Sequence, residues 1–201
     1  MNDRVHPVIR LGAPSDDGAI PSAPAMSLYF VLAAYLILLA LAVAILIFEI
    51  YTLLIAPAKG SPYARTKIRQ IEQMFEVAGV KPGELVLDLG SGDGSVLIAA
   101  GRRGARAVGV EINPFFVWYS RWRIRRHGLP HLVSIVRADL FAYPVDRADV
   151  IFLFLVPDTL RRLSDKFVKE AKPGCRIVSN LFSIPGLIPR AEKDKAFLYQ
   201  L

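Results

Sequence analysis

Cysteine is nearly missing from this chain. Cys175 stands alone among 201 residues, which excludes an intrachain disulfide and fits a reducing compartment. Histidine is scarce as well, with only His6, His127 and His131. No Cys/His cluster has ligand spacing, so no metal is expected. No nucleophile, histidine and acid stand in a recognisable set. Internal repeats and long low-complexity runs are absent. The longest absence is of charge. Between Asp17 and Lys59 the only charged residue is Glu49, and Ser27 to Phe48 has none. A helix of roughly 20 such residues, rising about 1.5 Å per residue, spans a bilayer core.

That stretch is read as a retained membrane anchor. A buried soluble helix usually shows a polar face, and this one shows none. A cleaved signal peptide has an apolar region of roughly 7–15 residues behind a basic start. Here the run is longer, and the residues before it are not basic, although Ala56-Pro57-Ala58 faintly resembles a cleavage site. Residues 1–25 carry a net −1, while residues 56–70 carry Lys59, Arg65, Lys67 and Arg69 with no acid. Lys and Arg prefer the cytoplasmic side. The expected topology is single-pass, with the N-terminus outside and the C-terminal part cytoplasmic, at the inner membrane face if the cell is prokaryotic.

Three parts follow. Residues 1–25, rich in proline, glycine and small side chains, read as a disordered tail. Residues 26–57 form the transmembrane anchor, and Lys59 to Tyr63 (KGSPY) a hinge. Residues 58–201 are long enough for an independent core. In that last part, continuous apolar runs alternate with helical patterns. Strands are expected at 84–90, 105–112, 132–140, 149–156 and 175–182, with AFLYQL (196–201) as a last, edge strand. Helices are expected near 64–79, 94–103, 114–127 and 158–171. The runs are rich in Val, Ile and Phe, as strands buried on both faces are. The fold class expected is α/β, with a mostly parallel, Rossmann-like sheet and helices on both faces.

Ligands of such sheets bind beyond the C-terminal strand ends. The turn Gly90-Ser91-Gly92-Asp93-Gly94 sits there, leaving the first strand and starting a helix. Glycine permits positive φ and removes the Cβ that blocks a ligand. A dinucleotide turn has the spacing G-x-G-x-x-G. Here the third glycine comes one residue early, and Asp88 and Asp93 flank the turn. Two carboxylates suit a ligand ammonium better than a pyrophosphate. The amino acid end of S-adenosylmethionine offers an ammonium and a sulfonium, both drawn to negative charge in a partly desolvated site. The second strand ends in Glu111, placed to accept from two ribose hydroxyls. The third ends in Asp139-Leu140-Phe141, with a carboxylate for the adenine amine and an apolar neighbour for the ring. For Asp139 a turn aspartate is the plain alternative.

The motifs DLGSGDG, GVEINP and ADLF resemble those of class I S-adenosylmethionine-dependent methyltransferases. SPYARTKIRQIEQMF, GVEINPFFVWYSRWR and FLVPDTL resemble one branch of that superfamily. It comprises the membrane-anchored protein lysine methyltransferases of mitochondria and their bacterial and archaeal relatives. The resemblance implies cofactor contacts at Asp88, Gly90, Gly92, Glu111, Asn113 and Asp139, with Tyr63 near the methionine end. Ser91, Asp93, Gly94 and Leu140 complete the expected cofactor-binding set. The family's mitochondrial members act on inner-membrane proteins, namely the ADP/ATP carrier and the c-ring protein of ATP synthase, so a membrane-embedded or membrane-proximal protein is the implied partner.

Methyl transfer to lysine needs a neutral amine, and the ordinary lysine pKa is about 10.4. An apolar channel lowers it by disfavouring the charged form. Val156 and Pro157 are expected on the channel wall, and Asp158 is expected to orient the incoming ammonium; helix N-capping is the alternative for Asp158. The fourth strand lacks an N-P-P-Y-type signal, which disfavours a nucleic acid substrate. Yet residues 58–201 carry a net +9, and Arg121, Arg123, Arg125 and Arg126 cluster near Trp118 and Trp122. With an anchor next door, contact with anionic headgroups is expected of such a face; RNA and simple solvation are the alternatives. The two tryptophans, at i and i+4, read most simply as one packed stripe. The function expected is a protein-lysine N-methyltransferase. A methyltransferase for a lipid, small molecule or RNA is one alternative, and an idle S-adenosylmethionine-binding membrane module the other.

Overall fold

The computed structural model describes the backbone of residues 23–59 and 68–201, and the side chains of residues 27–50 and 68–201. The expected tail falls mostly outside these residues, as do most of the KGSPY hinge and Tyr63.

Helix α1 runs from Ala23 to Lys59, beyond the expected 26–57 at both ends. Its segment Ser27–Ile50 is long and apolar enough to cross a membrane. Every side chain in that segment is exposed, so it has no face packed as a soluble core helix would have. The chain divides after Phe48, and Glu49–Leu201 forms a compact unit of its own.

That unit is built on a seven-stranded sheet. The strands are β1 Leu85–Leu89, β2 Arg106–Glu111, β3 Val133–Arg137, β4 Val150–Leu153, β5 Arg176–Asn180, β6 Ala191–Lys193 and β7 Ala196–Gln200. Their order is β3-β2-β1-β4-β5-β7-β6. The first five are parallel, and β7 runs antiparallel to β5 and β6. The helices are α2 Ile68–Ala78, α3 Ser95–Arg102, α4 Pro114–Arg126 and α5 Pro157–Glu170. The five expected strands and the helices are present, with ends shifted by a few residues; residues 64–67 of the expected 64–79 helix lie outside the described residues.

Alternate strand residues feed two cores. Val86, Val150, Phe152 and Val178 pack with α2, α3 and α4 on one face. Leu87, Ile151, Leu153 and Ile177 pack with α5 on the other. This two-sided burial explains why the runs read as continuous rather than alternating. Arg176, at the start of β5, donates to the carbonyls of Ala78 and Gly79 at 2.7 and 2.9 Å and pairs with Glu84 at 2.6 Å. The end of α2 is thereby fixed at the N-terminal edge of the sheet, so its first residues point towards the opposite edge, where ligands bind.

Two expectations need correction. AFLYQL is not the edge strand: β7 lies between β5 and β6. Its partner β6 is three exposed residues, Ala-Glu-Lys, with no apolar signal to mark it. The two join through Asp194 and Lys195, both at positive φ (49° and 66°), the conformation of a tight type I′ hairpin. The second correction concerns strand ends. β3 stops at Arg137 and β4 at Leu153, and the residues just after each lie outside regular structure.

Close packing at β2 requires one glycine. A Cβ on Gly109 would lie 2.5 Å from Leu97 Cδ1 and 2.6 Å from Ser91 Oγ. Gly109→Ala is expected to destabilise the domain by about 1–3 kcal/mol through overpacking, read as a lower urea midpoint with an unchanged slope. An unshifted midpoint would show that Leu97 and Ser91 give way freely.

Candidate functional site

The site forms where β1, β2 and β4 end. Gly90 follows β1 at φ 84°, and the chain turns through Gly92 and Gly94, at φ 50° and 73°, into α3. A side chain at any of the three would be strained. Gly90 N and Ser91 N donate to Val110 O at 2.9 and 3.1 Å, and Gly94 N closes the turn on Ser91 O at 2.9 Å. Each glycine has its own reason. Gly90 is exposed, and Leu155 Cδ2 lies 3.1 Å from where its Cβ would be. At Gly94 the obstacle is Ser120 on α4, 3.0 Å away. Gly94, in the expected cofactor-binding set, is thus also needed for the close approach of α4.

Glu111 holds the turn from β2. Its Oε2 accepts from Gly92 N at 3.0 Å and its Oε1 from Asn113 N at 2.8 Å. Each oxygen keeps a further lone pair, which leaves the expected ribose contact open. Asn113 caps α4, accepting from Phe115 N at 2.9 Å. Asp93 differs from expectation. Its Oδ1 accepts from Ser95 N at 3.0 Å, and Oδ2 pairs with Arg123 Nη1 at 2.7 Å. The same nitrogen donates to Asp93 O at 2.6 Å and lies 3.0 Å from Ser95 Oγ. Ser120 Oγ donates to Gly92 O at 2.8 Å. Thus Asp93 braces the turn against α4, with its charge already matched by Arg123. Arg123 likewise leaves the surface cluster to which its sequence neighbours assigned it. Ser120 and Arg123 were missed as site residues. Their signal was the three-residue spacing that puts both on one side of a helix starting beside the turn.

Asp139 lies two residues past β3, exposed, with Oδ1 accepting from Phe141 N at 2.9 Å. This is the Asx turn weighed as the alternative; it leaves Oδ2 free to accept from a ligand. Leu140 is buried in the α5-side core, so its backbone alone faces the edge. The apolar neighbour offered there is Phe141, half-buried, with the Arg162 guanidinium 3.8 Å from its ring centroid. Leu155 against Gly90 brings the start of α5 beside the turn. Val156 is the N-cap residue, Pro157 opens the helix and Asp158 lies in its first turn. Asp158 is exposed and does not cap; there it favours the helix dipole.

Asp88 is the unusual charge. It is a β1 residue between Gly109 and Phe152, and only 5% exposed. Burial, then the charges of Glu111 and Asp93, push its pKa from the ordinary 3.8 up to about 8. No cation faces it among the described residues, since Arg123 is engaged with Asp93. Ser91 Oγ beside it is buried without a partner. A cavity of about 440 Å³ bounded by Leu85, Leu87, Val108 and Tyr143 lies elsewhere. It opens on the α5 face near the start of β1, where the β3–β4 connection supplies no helix, and is not this site.

The profile of the family described as the ANTKMT methyltransferase domain matches residues 88–191. The chain belongs to that family. The archaeal protein-lysine N-methyltransferase of Saccharolobus islandicus is 36% identical over 131 residues, covering 64% of this chain and 81% of the relative. A lysine N-methyltransferase of Xenopus laevis, named for the c-ring protein of ATP synthase, is 32% identical over 146 residues, covering 71% of this chain and 64% of the frog protein. The match thus spans somewhat less than two thirds of that relative's length. A crystal structure described as RNA methyltransferase from Salinibacter ruber, in complex with S-adenosyl-L-homocysteine, superposes with a TM-score of 0.64. It is 32% identical and covers 68% of this chain and 91% of its own. The resemblance read from the motifs is borne out, and with it the seven-stranded methyltransferase fold and the S-adenosylmethionine cofactor. The residues fit that cofactor: a buried carboxylate without a cation, an unpaired hydroxyl and an exposed glycine converge at one strand tip.

The buried carboxylate makes stability depend on pH. The folded protein holds a proton on Asp88 up to about pH 8 that the unfolded chain loses near its ordinary 3.8. That contribution to stability is fully present below the unfolded value and is lost as pH rises through the folded one. Thermal unfolding without cofactor should therefore weaken from pH 6 to pH 9, roughly, and Asp88→Asn should flatten the slope. An unchanged slope would remove Asp88 as its source. The brace makes a separate prediction for Arg123→Met, which strips Asp93 of its partner. It should raise the KM for S-adenosylmethionine about tenfold with kcat at saturation nearly unchanged, and Asp93→Asn added to it should recover part of the loss. A fall in kcat with KM unaltered would contradict a bracing role.

Proposed function

We propose that this chain is an S-adenosylmethionine-dependent protein-lysine N-methyltransferase, held at a membrane by α1 and acting on a membrane-embedded or membrane-proximal protein. The observation that carries the reading is the uncompensated Asp88 carboxylate beneath the glycine turn, in a family whose relatives bear protein-lysine names. The basic flank at Lys59–Arg69 supports a cytoplasmic domain and an outer N-terminus.

The cofactor supplies an activated methyl group on a good leaving group. What remains for the protein is alignment, exclusion of water and deprotonation of the amine. Asp88 attracts the cationic amino acid end. Glu111 accepts from the ribose hydroxyls while its bond to Gly92 keeps the turn in place. Leu155, Val156 and Pro157 provide the apolar wall next to Gly90 that lowers the lysine pKa. Asp158, exposed in the first turn of α5, draws the incoming ammonium towards that wall.

RNA is the second reading, favoured by the description of the Salinibacter structure and by the arginines of α4. Membranes incubated with tritiated S-adenosylmethionine separate the two. Label should enter protein and appear as methyl-lysine on hydrolysis; label in RNA or lipid would overturn the reading. Glu111→Ala should weaken cofactor binding about 10- to 100-fold, the loss of charge-assisted hydrogen bonds worth roughly 1.5–3 kcal/mol. Calorimetry showing undiminished affinity would remove Glu111 from the site.

A further inference from the structure

Helix α4 has two working sides, and the site uses one. Phe116, Val117, Ser120 and Ile124 are buried. The outward side was expected to hold a packed Trp118–Trp122 stripe, and this is not what is found. Trp118 is 63% exposed, Trp122 46% and Phe115 48%. The rings of Phe115 and Tyr119 stack at 6.1 Å, those of Tyr119 and Trp122 at 5.8 Å, and the Arg126 guanidinium sits 5.6 Å from the Trp122 centroid. Arg125 flanks this column, exposed, whereas Arg121 turns to β3 and donates to Ile135 O at 3.3 Å. The helix contains no Asp or Glu. Exposing two tryptophans on a folded surface has a cost that a partner must offset.

We infer that the outer face of α4 docks on the anionic surface of a bilayer, its aromatic rings at headgroup depth and Arg125 and Arg126 on lipid phosphates. The inference rests on the preceding reading that Ser27–Ile50 spans the membrane. The charge is complementary, because a purely basic helix faces acidic phospholipid. Trp and Tyr rings, apolar in body and polar at the edge, suit the interface. Connectivity adds a third reason. The chain from Ile50 to Ile68 reaches at most about 60 Å even fully extended, so this domain never leaves the neighbourhood of the lipid and meets it at high effective concentration. RNA would have to compete with that surface.

Trp118 and Trp122 are the only tryptophans in the chain, so intrinsic fluorescence reports on this face alone. The full chain would be reconstituted into vesicles of phosphatidylcholine with or without phosphatidylglycerol. Part of the lipid would carry bromine near the headgroup end of its acyl chains. Emission should be roughly halved by brominated lipid in the anionic vesicles and quenched less in the neutral ones or at high salt. Arg125→Glu with Arg126→Glu should restore most of the emission while the protein still floats with the vesicles. The salt dependence of the unaltered protein keeps the test sound if that variant folds poorly. Flotation with unquenched, salt-insensitive emission overturns the docking face and leaves the anchor standing. Failure to float overturns both. Emission that instead responds to single-stranded oligoribonucleotide, with no quenching by lipid, assigns the face to nucleic acid and overturns the proposal.

Discussion

Gly92 is bonded through both of its main-chain polar groups. Its N–H goes to the carboxylate at the tip of β2, and its carbonyl takes the hydroxyl of Ser120 on α4. Sheet, turn and helix meet at this one unit. A loop of three glycines has little stiffness of its own, since glycine loses the most conformational freedom on ordering. Rigidity comes from outside, through Glu111, Ser120, Arg123 and the carbonyl of Val110. The turn is therefore held in shape by groups outside it, a general means of preorganising a binding loop.

Against this well-bonded frame stands Asp88, buried without a cation. An ionised carboxylate in such a place is unfavourable. The fold tolerates it because the neighbouring β-strands pack tightly and because protonation relieves the charge. A cationic ligand relieves it in another way, by supplying the missing partner. On the proposed reading, that relief would couple cofactor binding to stability, as where strain gathers at functional sites.

Much of this was legible in the chain. Continuous apolar runs identified the five parallel strands because both sheet faces are covered. The glycine turn and Glu111 were readable because their spacing follows from the fold's geometry. What escaped detection had no local signal. The strand β6 is three exposed residues and exists only by pairing with β7. The Asp93–Arg123 pair was invisible because Arg123 lies 30 residues away on another element. The packing of Ser120 against Gly94 had no signal either, since the serine sits on α4. The tryptophans read as a packed stripe because helical spacing tells which residues share a side, not whether that side is covered. Tyr63 lies outside the described residues, and its role stays a proposal.

The contact of Gly109 with Ser91 and Leu97 reaches beyond this one molecule. A methyl group at position 109 needs room that only a smaller residue at 91 or 97 can provide. The three sites are thus tied, and evolutionary drift at one is permitted only alongside a compensating change at another. Descendants of this gene should show paired replacements there, while the solvent-facing Ile188, ahead of β6, is free to wander.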